Sequence, residues 1–510
     1  MNLTTDPWIP VLMADGSHAN VSLIDAFSRG CEIADLSVRP HERIALLRLL
    51  ICVAQAALDG PKDEDEWREC LNDIPERTAE YLRARCLVFE LFGTGPRFLQ
   101  VSNLSSIKAD GEDGNAVDKL DVTLSCGANT TLFDNAGGSN RSFTPAQLAL
   151  MLLTFQSFAA GGTTSYVKWN GSLTRRSASA SVCIASSPLH AFLRKATLLE
   201  TLHANLLNKE AFGEHAGRGA IWGEPIWHRM PGKLGDVPET TRSYLGRLVP
   251  VTRAVWLNET DSTVVLGEAL IYPAFDEIFA DPFTTVISKK NERSILRADP
   301  SRAIWRQLAS VATLRRSDGL GGPIALRNAL SSDTFDLCAC GLATHPIRIA
   351  SIVDSVESVY RVPRALTEEI GQKIYNDAIG FAETTATRLF RATAKYRRVL
   401  NDEIERGEGR KRGLNLRGKA AIHFWTAAET LVSELFRLVT NPPSVRKARY
   451  QFSETDWGKA LFSAALEAYD FACPHATPRQ LQAYVLGRAI FFRTTDTNET
   501  SIDQIEEKTA

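Results

Sequence analysis

The sequence predicts an α+β protein, with a large mixed α/β N-terminal domain over residues 1–360 and a C-terminal four-helix bundle over residues 361–510. Two observations carry that expectation. Up to about residue 360, short strand-like runs alternate with helical patterns and long irregular stretches. Beyond Pro363 the pattern changes to long segments whose apolar residues recur every three or four positions. A chain of 510 residues is long enough for more than one hydrophobic core.

In the first domain, Ile44, Leu47, Leu50, Ile51 and Ala54 recur at helical spacing and predict an amphipathic, buried helix over 43–58. Residues 187–207 read the same way. Ala254-Val-Trp-Leu257 and Thr263-Val-Val-Leu266 are rich in β-branched residues between turn signals, and predict strands. The Gly- and Asp-rich segments 109–116 and 317–323 read as surface loops. A fixed-period repeat is not visible, which argues against a solenoid.

The bundle begins at Thr367, a helix cap followed by the acidic first turn Glu368-Glu369. Ile370, Ile374, Ala378, Phe381 and Ala382 then form an apolar stripe running towards Leu400, with Gly380 marking a kink or a close approach. A second helix spans about 417–439 and stops before Asn441-Pro-Pro443. The third opens at Ser453-Glu-Thr-Asp456, a capping-box pattern, and ends before Pro474. The fourth starts at Thr477-Pro-Arg-Gln480 and runs to about 493. Four one-striped helices most simply bury their stripes against each other. The final 15 residues read as a polar, acidic tail.

Composition excludes several function classes. A membrane span needs about 18 uninterrupted apolar residues, which the chain lacks. Asp6 interrupts the position of a secretory signal's apolar stretch, so no such signal is expected. Nine scattered cysteines fit reduced thiols in the cytoplasm better than a disulfide framework. Neither HExxH, CxxC, GxSxG nor a Walker loop occurs. Cys338-Ala-Cys340 has one residue between its sulfurs, which is not a zinc-knuckle spacing, so no metal or cofactor is expected. A catalytic constellation is absent, and the chain is not expected to be an enzyme.

Net charge is −2, but its distribution is uneven. Residues 361–460 carry 19 Lys and Arg against 12 Asp and Glu, which permits a local anion-binding surface on a near-neutral protein. Basic clusters also stand at Arg175-Arg176, Lys289-Lys290 and Arg315-Arg316, though any one of them read alone is a solvated helix end or loop.

Gly127 to Gly138 is a polar loop bearing one bare aromatic, Phe133, between Asn129 and Asn135. Such a loop stacks on a base or fills a partner's pocket, or else Phe133 folds back onto its own domain. A second glycine break, Gly161-Gly162, follows the apolar helix candidate 145–158; it either serves a close backbone approach or only ends the helix.

The opening Asn2-Leu-Thr-Thr-Asp-Pro-Trp-Ile-Pro-Val11, together with FGTGPRFLQV at 92–101 and Val117-Asp-Lys-Leu120, resembles the CasA family. CasA is the large subunit of the type I-E CRISPR surveillance complex Cascade. Ile221-Trp-Gly-Glu-Pro-Ile-Trp227, Asp281-Pro282 and Ala303-Ile-Trp-Arg-Gln-Leu308 continue the likeness in order along the chain. The resemblance implies a non-catalytic subunit that binds the protospacer-adjacent motif (PAM) of double-stranded DNA. It also implies help in opening the duplex for guide-RNA pairing, and recruitment of a helicase-nuclease. Its implied partners are the other Cascade subunits, the guide RNA, target DNA and that effector.

By the same resemblance, the loop of Asn129, Phe133, Asp134 and Asn135 docks on the guide RNA 5′ handle and neighbouring subunits, and Gly161 and Gly162 approach the PAM minor groove. Aligning on Gly341 puts Thr344, His345 and Pro346 where relatives carry an Asn-Gln wedge; proline is itself a wedge between base steps. Relatives read the PAM with a lysine whose matching region, 267–275, has none here, leaving Lys289 and Lys290 as substitutes. Lys395, Arg397, Arg398, Arg410, Lys411 and Arg412 are the expected DNA-backbone contacts on the bundle. The alternative is a protein-only scaffold with no DNA contact, and a third reading is a hydrolase with a dispersed site.

Overall fold

Fifteen of the 19 residues in the helix Pro40–Leu58 are buried, so it is enclosed on nearly all sides instead of presenting one polar face to water. Pro40 sits in its first turn, where a missing N–H costs nothing. Asp59 ends it at φ +57°, and Gly60 follows with Trp222 pressed so close that a Cβ would lie 2.3 Å from the indole. The helix belongs to the first of two compact units, Met1–Thr367 and Glu368–Ala510. This computed structural model describes residues 1–107, 114–124, 141–216, 220–259, 263–290, 292–345, 352–401, 415–446 and 449–492.

The first unit is built of small antiparallel sheets, of which the Thr334–Thr344 sheet packs against that helix. Ile9–Met13 lies between His18–Val21 and Ile33–Leu36. Thr334–Thr344 lies between His190–Arg194 and Ile352–Pro363. The expected strands are present as Arg253–Leu257 and Thr263–Glu268, paired with Arg253 opposite Glu268. One element differs from expectation. Residues 190–194 form a strand, and only Leu198–Asn205 is helical, started by a capping box between Thr197 and Glu200. A short apolar run such as Ala191-Phe-Leu193 satisfies both periods, and pairing with Thr334–Thr344 decides it. The 317–323 segment also departs from a plain surface loop. Gly322 is buried and Arg315, 5% exposed, donates to its carbonyl and to that of Thr284. Arg315 is therefore an interior strut and not part of a basic surface.

In the second unit, Glu369–Asn401 packs against Leu416–Thr430, Val432–Thr440, Asp456–Ala472 and Pro478–Arg488. The fold class matches the expected mixed region followed by a helical bundle. The second helix of the bundle is interrupted at Leu431, and Ile370 lies outside the stripe at 69% exposed. The buried seam runs instead through Ile374, Ala378, Ala382, Ala386 and Leu389. Gly380 approaches no other element: among the described residues, apart from its own helix's backbone, a Cβ there would find no atom within 4 Å. Thr477 caps the last helix through Gln480 as its sequence predicts. Among the described residues, no helix is long and apolar enough to cross a membrane.

Candidate nucleic-acid interface

The helix Pro145–Phe158 is capped by Thr144 and Gln147 and buried along most of its length. Its end is held by Gln156, whose amide donates to the Leu99 and Arg253 carbonyls and accepts from the Thr252 and Arg253 N–H groups. A buried amide with all of these partners fixes the backbone on three segments at once. The chain then leaves as a β-ribbon. Gly162–Thr163 pairs with Ser177–Ala178, and Val167–Trp169 pairs with Ser172–Leu173 on one side and Leu104–Ser106 on the other. Asn170 (φ +47°) and Gly171 (φ +80°) turn the ribbon back, as an Asn-Gly pair is suited to do.

Arg253 clamps the root of this ribbon. It is 4% exposed and donates to the carbonyls of Ala160 at 2.7 Å, Ser179 at 2.9 Å and Thr252 at 3.0 Å. Burial pulls its pKa down to about 10, so it remains a cation at neutral pH. Val167 and Trp169 anchor the ribbon inward, while Tyr166, Lys168, Arg175 and Arg176 lie on its exposed side. Arg176 sits 6.0 Å from the Tyr166 ring, and Arg175 makes a two-pronged pair with buried Glu268 at 2.7 and 2.9 Å.

The two glycines differ in kind. A Cβ on Gly161 would lie 2.9 Å from the Ala180 backbone nitrogen, so this glycine serves the ribbon's own packing. Gly162 is exposed, at φ +146°, and a Cβ would meet nothing within 4 Å among the described residues. It presents bare backbone to solvent in a conformation that other residues rarely adopt.

Thr344 is 6% exposed, and its hydroxyl lies 2.6 Å from that of Ser187, which also accepts from the Thr344 N–H. Its side chain is thus enclosed, and it positions the strand end from which half-buried His345 emerges. Lys289 and Lys290 occupy the exposed end of the hairpin Val286–Lys289/Glu292–Ile295, with Lys290 at φ +53°. On the bundle, Lys395 and Arg398 are one turn apart on one side of Glu369–Asn401, whereas Arg397 lies about 200° round from Lys395. Asn129, Phe133, Asp134, Asn135, Pro346, Arg410, Lys411 and Arg412 lie outside the described residues. Arg253, Gln156 and Glu268 carry no signal in the sequence, since an isolated buried polar residue has no local pattern.

If Lys395 and Arg398 bind phosphates, the double variant K395E/R398E should flatten the dependence of log K on log salt by about 0.9 for each phosphate no longer neutralised. Filter binding of DNA across a salt series checks this, and an unchanged slope removes both residues from the interface.

A model of the family CRISPR-associated protein Cse1 matches residues 2–468. Among curated proteins, none matches. Solved structures do: Thermus thermophilus CasA (Cse1) superposes with a TM-score of 0.71 at 22% identity, covering 97% of this chain and 99% of that one. Cse1 from Acidimicrobium ferrooxidans gives 0.70 at 20% identity, covering 97% of each chain. A chain of a CRISPR RNA-guided surveillance complex gives 0.72 at 18% identity, covering 97% and 99%. At these identities the likeness establishes a common fold.

Proposed function

Because the chain belongs to the CRISPR-associated Cse1 family, we propose that it is the non-catalytic DNA-recognition subunit of a Cascade complex. In this reading it binds the PAM of a double-stranded target through the Gly162 ribbon, promotes opening for guide-RNA pairing and recruits a helicase-nuclease. Its partners are the remaining Cascade subunits and the guide RNA; the solved chain of similar fold in an RNA-guided surveillance complex supports that assignment. The observation that carries the DNA-binding part is exposed, side-chain-free backbone at Gly162 on a ribbon with a rigid root. A minor groove about 6 Å wide admits such backbone where a Cβ would clash, and its degenerate pattern suits a reader of short, related motifs. The cations Lys168 and Arg176 on the same ribbon favour the flanking phosphates.

Replacing Gly162 by Ala in the assembled complex should weaken binding of PAM-bearing duplex at least tenfold and leave binding to duplex without a PAM unchanged. The backbone strain of that change costs about 1–2 kcal/mol. Gly171→Ala, at an equally open positive-φ position in the turn, supplies the control for strain alone. Gel shifts with the two duplexes provide the measurement; PAM discrimination that survives in Gly162→Ala refutes the assignment. A protein-only scaffold predicts no discrimination in either protein.

A further inference from the structure

We propose that Cys338, Cys340 and Glu357 form a binding site for a thiophilic divalent cation, with zinc as the best fit, beside a cavity in the first unit. The three side chains come from the central strand Thr334–Thr344 and its neighbour Ile352–Pro363, where Cys340 stands directly opposite Glu357. Residues two apart on a strand point to the same face, so Cys338 and Cys340 share one side of the sheet. That is why a spacing unsuited to a zinc knuckle in a loop can still supply two ligands from a strand.

The sulfurs and a carboxylate oxygen lie within 4.8 Å of one another, and Cys338 Sγ is 3.8 Å from Glu357 Oε1. Tetrahedral zinc with bonds of about 2.0–2.3 Å separates its ligand atoms by about 3.3–3.8 Å, so small rotamer adjustments close the site. Cys338 and Cys340 are 5% and 0% exposed, whereas Glu357 is at the rim. Cys338 and Glu357 border a cavity of about 300 Å³, which leaves room for a water molecule as fourth ligand.

Charge favours the same occupant. Arg43 pairs with Asp35 and, at 2.7 Å, with Glu357, while Arg194 pairs with Asp35 at 2.9 Å. These two cations and two anions cancel, so a divalent cation brought in with two thiolates adds no net charge to the partly buried cluster. Arg43, held on Glu357 Oε1, orients that carboxylate, as outer hydrogen-bonding groups do at metal centres. Binding one Zn²⁺ forms two Zn–S bonds and one Zn–O bond and releases the two thiol protons to buffer. No electron is transferred. Two soft sulfur ligands with one oxygen select zinc over magnesium or calcium.

The test uses the purified full-length chain, reduced and freed of metal, then incubated with Zn²⁺ and desalted. Elemental analysis should find about one zinc per chain, and Co²⁺ in its place should give thiolate charge-transfer absorption. Cys338→Ser/Cys340→Ser should abolish both signals. Glu357→Gln, a rim position that leaves the buried strand intact, should weaken affinity about 10–100-fold while the charge-transfer band persists at saturation. Three results each overturn the proposal: no retained zinc, undiminished zinc in the double serine variant, or a Cys338–Cys340 disulfide in the native chain.

Discussion

Replacing Asp281 by Asn should destabilise the first unit by about 3–5 kcal/mol, the usual consequence of removing one partner from a buried ion pair. Arg48 projects from the middle of the enclosed helix Pro40–Leu58 and is 0% exposed. It pairs with Asp281 and donates to the carbonyls of Leu248 at 3.0 Å and Arg247 at 2.7 Å. Although burial pushes the other way, Arg48 and then His190 hold the Asp281 carboxyl below the ordinary carboxylate range. Neutral Asn cannot balance the cation, and Arg48 has no route to water. The damage should extend to the DNA binding proposed above, because Leu248 leads within five residues to Arg253 and the ribbon root. Urea denaturation monitored by tryptophan fluorescence measures the loss. A compensating Arg48→Met change should recover part of it, because it removes the stranded charge. Wild-type stability in Asp281→Asn would show that the pair is not a strut.

Acidification from pH 7.5 to 5 should cost the same unit about 4 kcal/mol through two buried histidines. His41 and His190 are 2% and 1% exposed, and burial pushes both pKa values down to about 4. Among the described residues, neither nitrogen of His41 has a hydrogen-bond partner, nor does Nδ1 of His190. Arg39 opposes protonation of His41 while Glu42 and Asp121 favour it; Asp281 and Arg48 act in the same opposed senses on His190. Between about pH 6.5 and 4 the unfolded chain binds protons that the folded chain refuses, so stability falls as pH falls through that window. Each group contributes about 2 kcal/mol at pH 5. His41 packs edge-on against Phe158, 6.1 Å between ring centres, immediately before the ribbon. Denaturation midpoints at the two pH values test the expectation. His41→Phe and His190→Phe should each remove about 2 kcal/mol of the loss, and a pH-independent wild type would contradict it.

Long-period features were legible in the sequence. The helix beginning at Pro478 and the strands at 253–257 and 263–268 follow from local patterns that tertiary packing did not override. The 190–194 strand was not legible, because its short apolar run is decided by a partner about 150 residues away. Most segments that carry the family resemblance prove to be framework: Trp8, Trp227 and Trp305 are buried, and Asp281 holds Arg48. For the site, Gly162 was visible as a glycine, but its exposure and its difference from Gly161 depend on what lies across the ribbon. A spacing rule drawn from loops passes over Cys338 and Cys340, although a strand places alternate side chains together.

The clamp beneath the ribbon has an electrical consequence. Arg253 carries its charge beneath the ribbon: its three hydrogen bonds end on carbonyls, and Glu268, whose charge favours the Arg253 cation, is also engaged by Arg175, so the two arginines and one carboxylate keep a net positive charge. Mobile salt ions cannot reach a buried cation to shield it closely, and weakly polarisable surroundings attenuate its potential less than water would. If the ribbon meets DNA as proposed, this charge draws the polyanion from beneath its surface, with no flexible side chain having to be ordered on contact.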